Sequence, residues 1–197
     1  MLKIAITGGI ASGKSTVAKI LKSYGYAVYS ADEIYSDLLS NSDVIERISR
    51  LVGVEPILKD GKLTLDRKAV AEKVFNDQNL LKKFNDYTHG LVYDKIDEIV
   101  DKNSQARILF FEIPLLFESG KQGDYDQVIV VKRDLKERIH GAMKRSGLSE
   151  NEVKKRIKNQ IDYDNFDFTK HTVIYNDGTQ NDLEGEVEKI LKKLIKE

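Results

Sequence analysis

The chain of 197 residues has no cysteine, no tryptophan and only two prolines. Without cysteine there can be no disulfide, no thiolate metal site and no cysteine nucleophile. It also lacks an excess of charge of either sign, because 32 Lys and Arg are balanced by 32 Asp and Glu. A chain whose main task is coating nucleic acid usually carries a basic excess to displace counterions from phosphates, so no nucleic-acid partner is expected. No apolar run approaches the roughly 18 residues of a membrane span. The opening MLKIAITGG turns into glycine instead of extending into the apolar core of a signal peptide. The expected setting is therefore cytoplasmic, with no membrane partner. No heptad or exposed apolar stripe announces a protein partner, and a monomer is expected, with a homo-oligomer as the alternative. What is present, 41% hydrophobic and 32% charged residues, suits a single soluble domain with a substantial core.

Residues 2–7 (LKIAIT) are short, apolar and β-branched, and end at Gly8 and Gly9, as a strand buried on both faces would. From Lys14 to Tyr24, the apolar residues Val17, Ile20, Leu21 and Tyr24 fall at i, i+3, i+4 and i+7, one stripe of a helix stopped by Gly25. A second short strand, YAVY at 26–29, completes a βαβ unit and implies a parallel sheet. Residues 31 to about 102 are charged and helix-periodic, with a turn at LKDGKL (58–63) and Val70, Val74, Leu81, Phe84, Leu91, Ile96, Ile99 and Val100 as buried faces. Strand-length apolar runs return at 106–114 and 127–131, and more weakly at 171–176, giving five strands. Two basic helices hinged at Ser146 and Gly147 follow the fourth strand; Ser149 and Glu152 form a capping box for the second. Leu183, Val187, Ile190, Leu191, Leu194 and Ile195 give the last helix its core face.

The segment Gly8-Gly9-Ile10-Ala11-Ser12-Gly13-Lys14-Ser15 matches G-x-x-x-x-G-K-[ST] and sits between a buried strand and an amphipathic helix. Each residue type has a reason there. Glycines let the backbone turn its N–H groups inward around phosphates, and the helix start adds partial positive charge. Lys14 can reach the β and γ phosphates, the Ser15 hydroxyl can ligate Mg²⁺, and Thr16 extends the polar rim. A GTPase is not expected, because no N-K-x-D guanine motif occurs. Instead an acid follows each of the next two strands: Asp32 after YAVYSA and Glu112 at the end of ARILFF. The carboxyl ends of neighbouring parallel strands converge on one crevice, so both carboxylates are expected to face the nucleotide. One beside the loop can hold Mg²⁺ or its waters, and one further out can accept the proton of an attacking hydroxyl. Asp32 also reads as an N-cap of the helix that follows, Glu112 as a surface acid at a strand end, and His89 as a packing residue in a long helix.

Taken together, TGGIASGKSTVAKIL, SADEI, LDRKAVAEKVF, His89, EIPLLFE and the strand VIVV with basic helices ending RIKNQ resemble the dephospho-coenzyme A kinase family along essentially the whole chain. The resemblance implies an α/β P-loop nucleotide-kinase fold, with a five-stranded parallel sheet flanked by helices, a helical substrate-binding insertion and a helical lid. Nucleotide core, insertion and lid would occupy about 1–30 with 104–132 and 170–197, 31–103, and 133–169. It implies transfer of the ATP γ-phosphate to the ribose 3′-hydroxyl of dephospho-coenzyme A, with ATP and Mg²⁺ as cofactors. Asp32 corresponds to the family's general base, and Glu112 stands where an Asp is usual before Ile-Pro-Leu-Leu, with Ser15 as its companion for the metal. Gly9, Ile10, Ala11, Ser12, Gly13, Lys14, Ser15, Thr16, Arg138, Arg145 and Asn176 would contact ATP, with Arg145 and Lys14 assisting transfer and Arg156 and Gln160 as weaker candidates. Arg67, His89 and Asp32 would contact the acceptor. Departures from the family pattern are Ser30 for the first Asp of its Asp-Ala-Asp motif, Gly90 for the Pro after His89, and Ala11 for the third loop glycine. Another small-molecule P-loop kinase, or a module that binds ATP without transferring it, are the alternatives.

Overall fold

The computed structural model describes residues 1–195; Lys196 and Glu197, the end of the expected nucleotide core, lie outside the described residues. The chain divides into two compact units, Met1–Ser30 with Gln105–Glu197, and Ala31–Ser104.

In the first unit, β1 (Leu2–Gly8), β2 (Val28–Ser30), β5 (Ile108–Glu112), β6 (Gln127–Lys132) and β7 (Thr172–Tyr175) form a wholly parallel sheet in the order β2-β5-β1-β6-β7. The five strands expected from the apolar runs are all present. Helix α1 (Lys14–Ser23) is the crossover from β1 to β2, and α8 (Gln180–Leu194) follows β7. Alternation along the strands explains the core: Ile4, Ile6, Phe110, Ile129 and Val131 pack with Val17 and Leu21 of α1 and Leu183, Val187 and Leu191 of α8. Their neighbours Ala5, Leu109, Phe111 and Val130 are also fully buried. Burial on both faces is why these strands read as continuous apolar runs and not as alternating ones. Each such Ile, Leu or Phe contributes about 1.5–3 kcal/mol on burial. Helices α6 (Leu135–Ser146) and α7 (Glu150–Lys158) connect β6 to β7. The αL residue Gly147 (φ 68°) ends α6, and the expected Ser149–Glu152 capping box starts α7.

The second unit holds α2 (Ala31–Leu38), α3 (Ser42–Val52), α4 (Arg67–Phe75) and α5 (Gln78–Lys102). Its core is Val44, Ile48 and Val52 of α3 with Val70 and Val74 of α4, against which Leu81, Phe84 and Leu91 of α5 are partly buried. Ile96 is buried as expected, whereas Ile99 and Val100 are only half-buried. The LKDGKL turn proves to be a β-hairpin, β3 (Ile57–Lys59) with β4 (Lys62–Thr64). Asp60 and Gly61 at its tip have φ of 50° and 73°, the left-handed pair of a two-residue hairpin turn. Its strands are three residues long and half or fully exposed, too short for an alternating pattern to betray them. Among the described residues no helix is long and apolar enough to cross a membrane.

Candidate functional site

The loop between β1 and α1 is built by its neighbours as much as by itself. Gly13, the residue before α1, has φ 103° and offers no side chain to cap the helix, so no cap of its own competes with an anion at the positive end of α1. The place a Cβ would take on Gly13 is filled by the Asn176 carboxamide, whose Nδ2 donates to Ser12 O at 2.9 Å. A Cβ on Gly9 would meet the Arg138 guanidinium, so a side chain there would displace that cation. Lys14 is buried and its Nζ donates to the carbonyls of Gly8 (2.9 Å) and Gly9 (3.0 Å). The ammonium is thereby held over the loop, where a phosphate oxygen could replace a carbonyl as acceptor.

Glu112 ends β5, paired in register with Ile6 of β1 on one side and Ser30 of β2 on the other. Its place at the carboxyl end of a central strand brings it to the loop, and Ser15 Oγ donates to Glu112 Oε1 at 2.7 Å. The carboxylate is 9% exposed, so it is no mere surface acid. A hydroxyl and a carboxylate oxygen side by side are the hard donors that Mg²⁺ prefers, and the pair fits that ion.

Arg138 of α6 is 3% exposed and its Nε donates to Ile10 O at 3.2 Å. Burial pulls its pKa down, while Asp164, Tyr163 and Asp162 push it up. It stays a cation, since an arginine is not deprotonated in a protein. Tyr163 is buried and stacks on Phe168, and burial pushes its pKa up to about 12.

The structure thus brings Lys14, Ser15, Glu112, Arg138 and Asn176 together around the loop. Arg145 is exposed in the last turn of α6. In the helical unit Asp32 is exposed in the first turn of α2, Arg67 is the exposed first residue of α4, and His89 is exposed along α5. Arg67 also acts on Tyr35, whose pKa is raised by burial and opposed by the nearby guanidinium. The N-cap positions expected of acids go to Asp66 and Asp77 of this unit, whereas Asp32 lies one residue inside its helix.

Three contributors escaped the sequence reading or were only weakly marked by it. Gln160, two residues past α7, accepts from Ile10 N–H at 2.8 Å through its Oε1. Glu118 Oε1 accepts from Ile161 N–H at 2.9 Å, and Gly141 of α6 lies against Ala11. Glu118 is the last residue of EIPLLFE, so the segment was visible but the partner 43 residues away was not.

Known proteins of similar sequence and structure point to one family. The family model for dephospho-CoA kinase matches residues 2–182. The dephospho-CoA kinase of Chlorobaculum tepidum is 36% identical over 199 residues, covering 98% of this chain and 95% of that protein. The one of Corynebacterium glutamicum strain ATCC 13032 is 32% identical over 200 residues, covering 99% and 98%. Among solved structures, that of TT1252 from Thermus thermophilus superposes with a TM-score of 0.82 at 35% identity, covering 98% of this chain and 97% of that one. Dephospho-CoA kinase from Campylobacter jejuni gives 0.70 at 33% identity, covering 98% and 96%. With a matching family model and relatives of this identity along almost its whole length, the chain belongs to the dephospho-CoA kinase family.

Proposed function

We propose that this protein transfers the γ-phosphoryl group of ATP to the ribose 3′-hydroxyl of dephospho-coenzyme A, giving coenzyme A and ADP. The observation that carries the reading is the phosphate loop with its Ser15–Glu112 pair and Lys14 held over it, in a chain of this family. Phosphoryl transfer asks a protein mainly for position and charge. Lys14 and the leading amides of α1 take the β and γ phosphates, and Arg138 adds a buried cation behind Gly9 and Ile10. Ser15 and Glu112 would hold Mg²⁺, which when bound neutralises charge on the β and γ oxygens.

Asp32 is the proposed general base, and its exposure leaves it able to meet an acceptor hydroxyl. As the 3′-oxygen attacks the γ-phosphorus, its O–H bond breaks and the proton passes to the Asp32 carboxylate. The bond from the β,γ-bridging oxygen to the γ-phosphorus breaks, and ADP leaves with that oxygen. Arg145, exposed near the hinge between α6 and α7, is the proposed cation for the transferring group, while Arg67 and His89 contact the acceptor. The protein is proposed to work as a cytoplasmic monomer.

The test is ADP release from purified protein supplied with ATP, Mg²⁺ and dephospho-coenzyme A, with adenosine and nucleoside monophosphates as rival acceptors. ADP formed only with dephospho-coenzyme A, and a product phosphorylated at the 3′ position by mass and NMR, is the expected result. Transfer to a rival acceptor instead would keep the fold and discard the substrate. Tight ATP binding without transfer to any acceptor would discard the kinase.

A further inference from the structure

Ala11 lies in the middle of the phosphate loop with φ 55°, in the left-handed region where a side chain other than glycine's is strained. A residue keeps such a conformation only where its surroundings leave it no other. Here they do so on both sides. The peptide before Ala11 is fixed at Ile10 O, which accepts from Arg138 Nε at 3.2 Å. The peptide after it is fixed by Ser12 N–H, which donates to Gly9 O at 3.1 Å. One peptide further back, Ile10 N–H donates to Gln160 Oε1 at 2.8 Å, so both polar groups of Ile10 are held from outside the loop. Room for the Ala11 methyl comes from Gly141, where even an added Cβ would sit 3.6 Å from it.

Gln160 is itself held in place. Ile161 N–H, the next along the chain, donates to Glu118 Oε1 at 2.9 Å, so the last residue of EIPLLFE anchors the backbone that carries Gln160. The chemistry of the acceptor also fits its position. A carboxylate would take the same N–H but would place a negative charge beside bound phosphates, whereas the carboxamide is a neutral acceptor of almost the same shape.

We propose that Gln160 is a positioning residue of the phosphate site. Its carboxamide, steadied through Glu118, holds Ile10 and thereby the left-handed Ala11 in the conformation that receives ATP. The inference rests on the reading that this loop binds ATP phosphates. It assigns the segment after α7 to the phosphate loop itself, as a splint that supports an alanine where a glycine would need no support.

The experiment is a double-mutant cycle with steady-state kinetics in both substrates and calorimetric ATP titration. Gln160→Ala is expected to raise the KM and Kd for ATP about tenfold, which is about 1.4 kcal/mol, with a smaller effect on kcat and on the KM for dephospho-coenzyme A. In an Ala11→Gly background the same change is expected to cost less than about threefold, because glycine adopts positive φ without strain. Gln160→Glu is expected to keep thermal stability yet weaken ATP binding, increasingly so as the carboxylate ionises with rising pH. If Gln160→Ala does not fold, Gln160→Asn, one methylene too short to reach Ile10, takes its place in the cycle. An ATP KM unchanged in the Gln160 variants, or a defect equally large in the wild-type and Ala11→Gly backgrounds, overturns the inference alone. Wild-type protein that fails to bind ATP would instead remove the phosphate-site reading beneath it.

Discussion

The two units present their proposed site residues in opposite ways. In the sheet unit, Lys14, Ser15, Arg138 and Asn176 are each fixed by at least one hydrogen bond to loop backbone or to Glu112, with Arg145 an exposed exception. In the helical unit Asp32, Arg67 and His89 are all exposed on helix surfaces. The phosphate loop is prebuilt, while the residues proposed to meet the acceptor stand exposed in the free protein. Triphosphate recognition demands a rigid cradle, because its strength comes from dipoles already aligned before the ligand enters. Proton abstraction demands an accessible carboxylate, and the exposure of Asp32 suits the base proposed there.

The difference can be attacked from either side. The largest effect is expected at the exposed end: Asp32→Asn should lower kcat by about 10²–10⁴-fold with ATP affinity little changed. Stopped-flow turnover with calorimetric ATP titration checks this, and near-normal turnover would remove Asp32 from the chemistry. Arg145→Ala should slow transfer by about 10²-fold. If the rate is unchanged, that arginine belongs to the solvated surface, and the side-chain cations at transfer are Lys14 and Arg138.

Core truncations then separate the units. Leu191→Ala, beneath the sheet, and Ile48→Ala, in the centre of α3, each remove a side chain at most 5% exposed and should each cost about 2–5 kcal/mol by denaturant unfolding. At temperatures where both variants remain folded, Ile48→Ala should raise the KM for dephospho-coenzyme A more than that for ATP, and Leu191→Ala the reverse. Equal effects on both substrates would erase the contrast. The smallest expected effect concerns His171, which meets the Phe117 ring edge-on at 5.2 Å and whose pKa is lowered, chiefly by burial and also by Lys170, against Asp167. A depressed histidine pKa favours the neutral form in the folded state, so this contribution is full above the unfolded pKa near 6.5 and fades as pH falls through the lower folded value. His171→Gln should flatten the acid side of a Tm-versus-pH curve, and an unaltered slope would refute that assignment.

Much of this was legible in the residues, for reasons that differ by element. Five parallel strands buried on both faces leave continuous apolar runs, and a loop that must wrap phosphates leaves its glycines and Lys14-Ser15 in a fixed order. Glu112 was legible because strand-end position alone delivers it to the loop. The β3–β4 hairpin was not, since three-residue strands carry too few positions for a period to show. Gln160 was only weakly marked and Gly141 unseen: what they do depends on contacts 150 and 130 residues back along the chain, and no local pattern encodes a partner so distant. Arg138 was expected as a ligand of ATP, and the structure shows its guanidinium as a strut for Ile10.

The Asn176 contact with Ser12 and Gly13 has a consequence for how the protein is made. Synthesis delivers the loop at residues 8–15 well before the groups that shape it, which follow at 112, 138, 160 and finally 176. A nascent chain halted anywhere before that asparagine leaves the ribosome carries the whole phosphate signature without its last support. The loop is therefore complete only once residue 176 has emerged, and a ribosome-bound chain stalled at residue 150 is expected to hold ATP poorly, although every loop residue is already present.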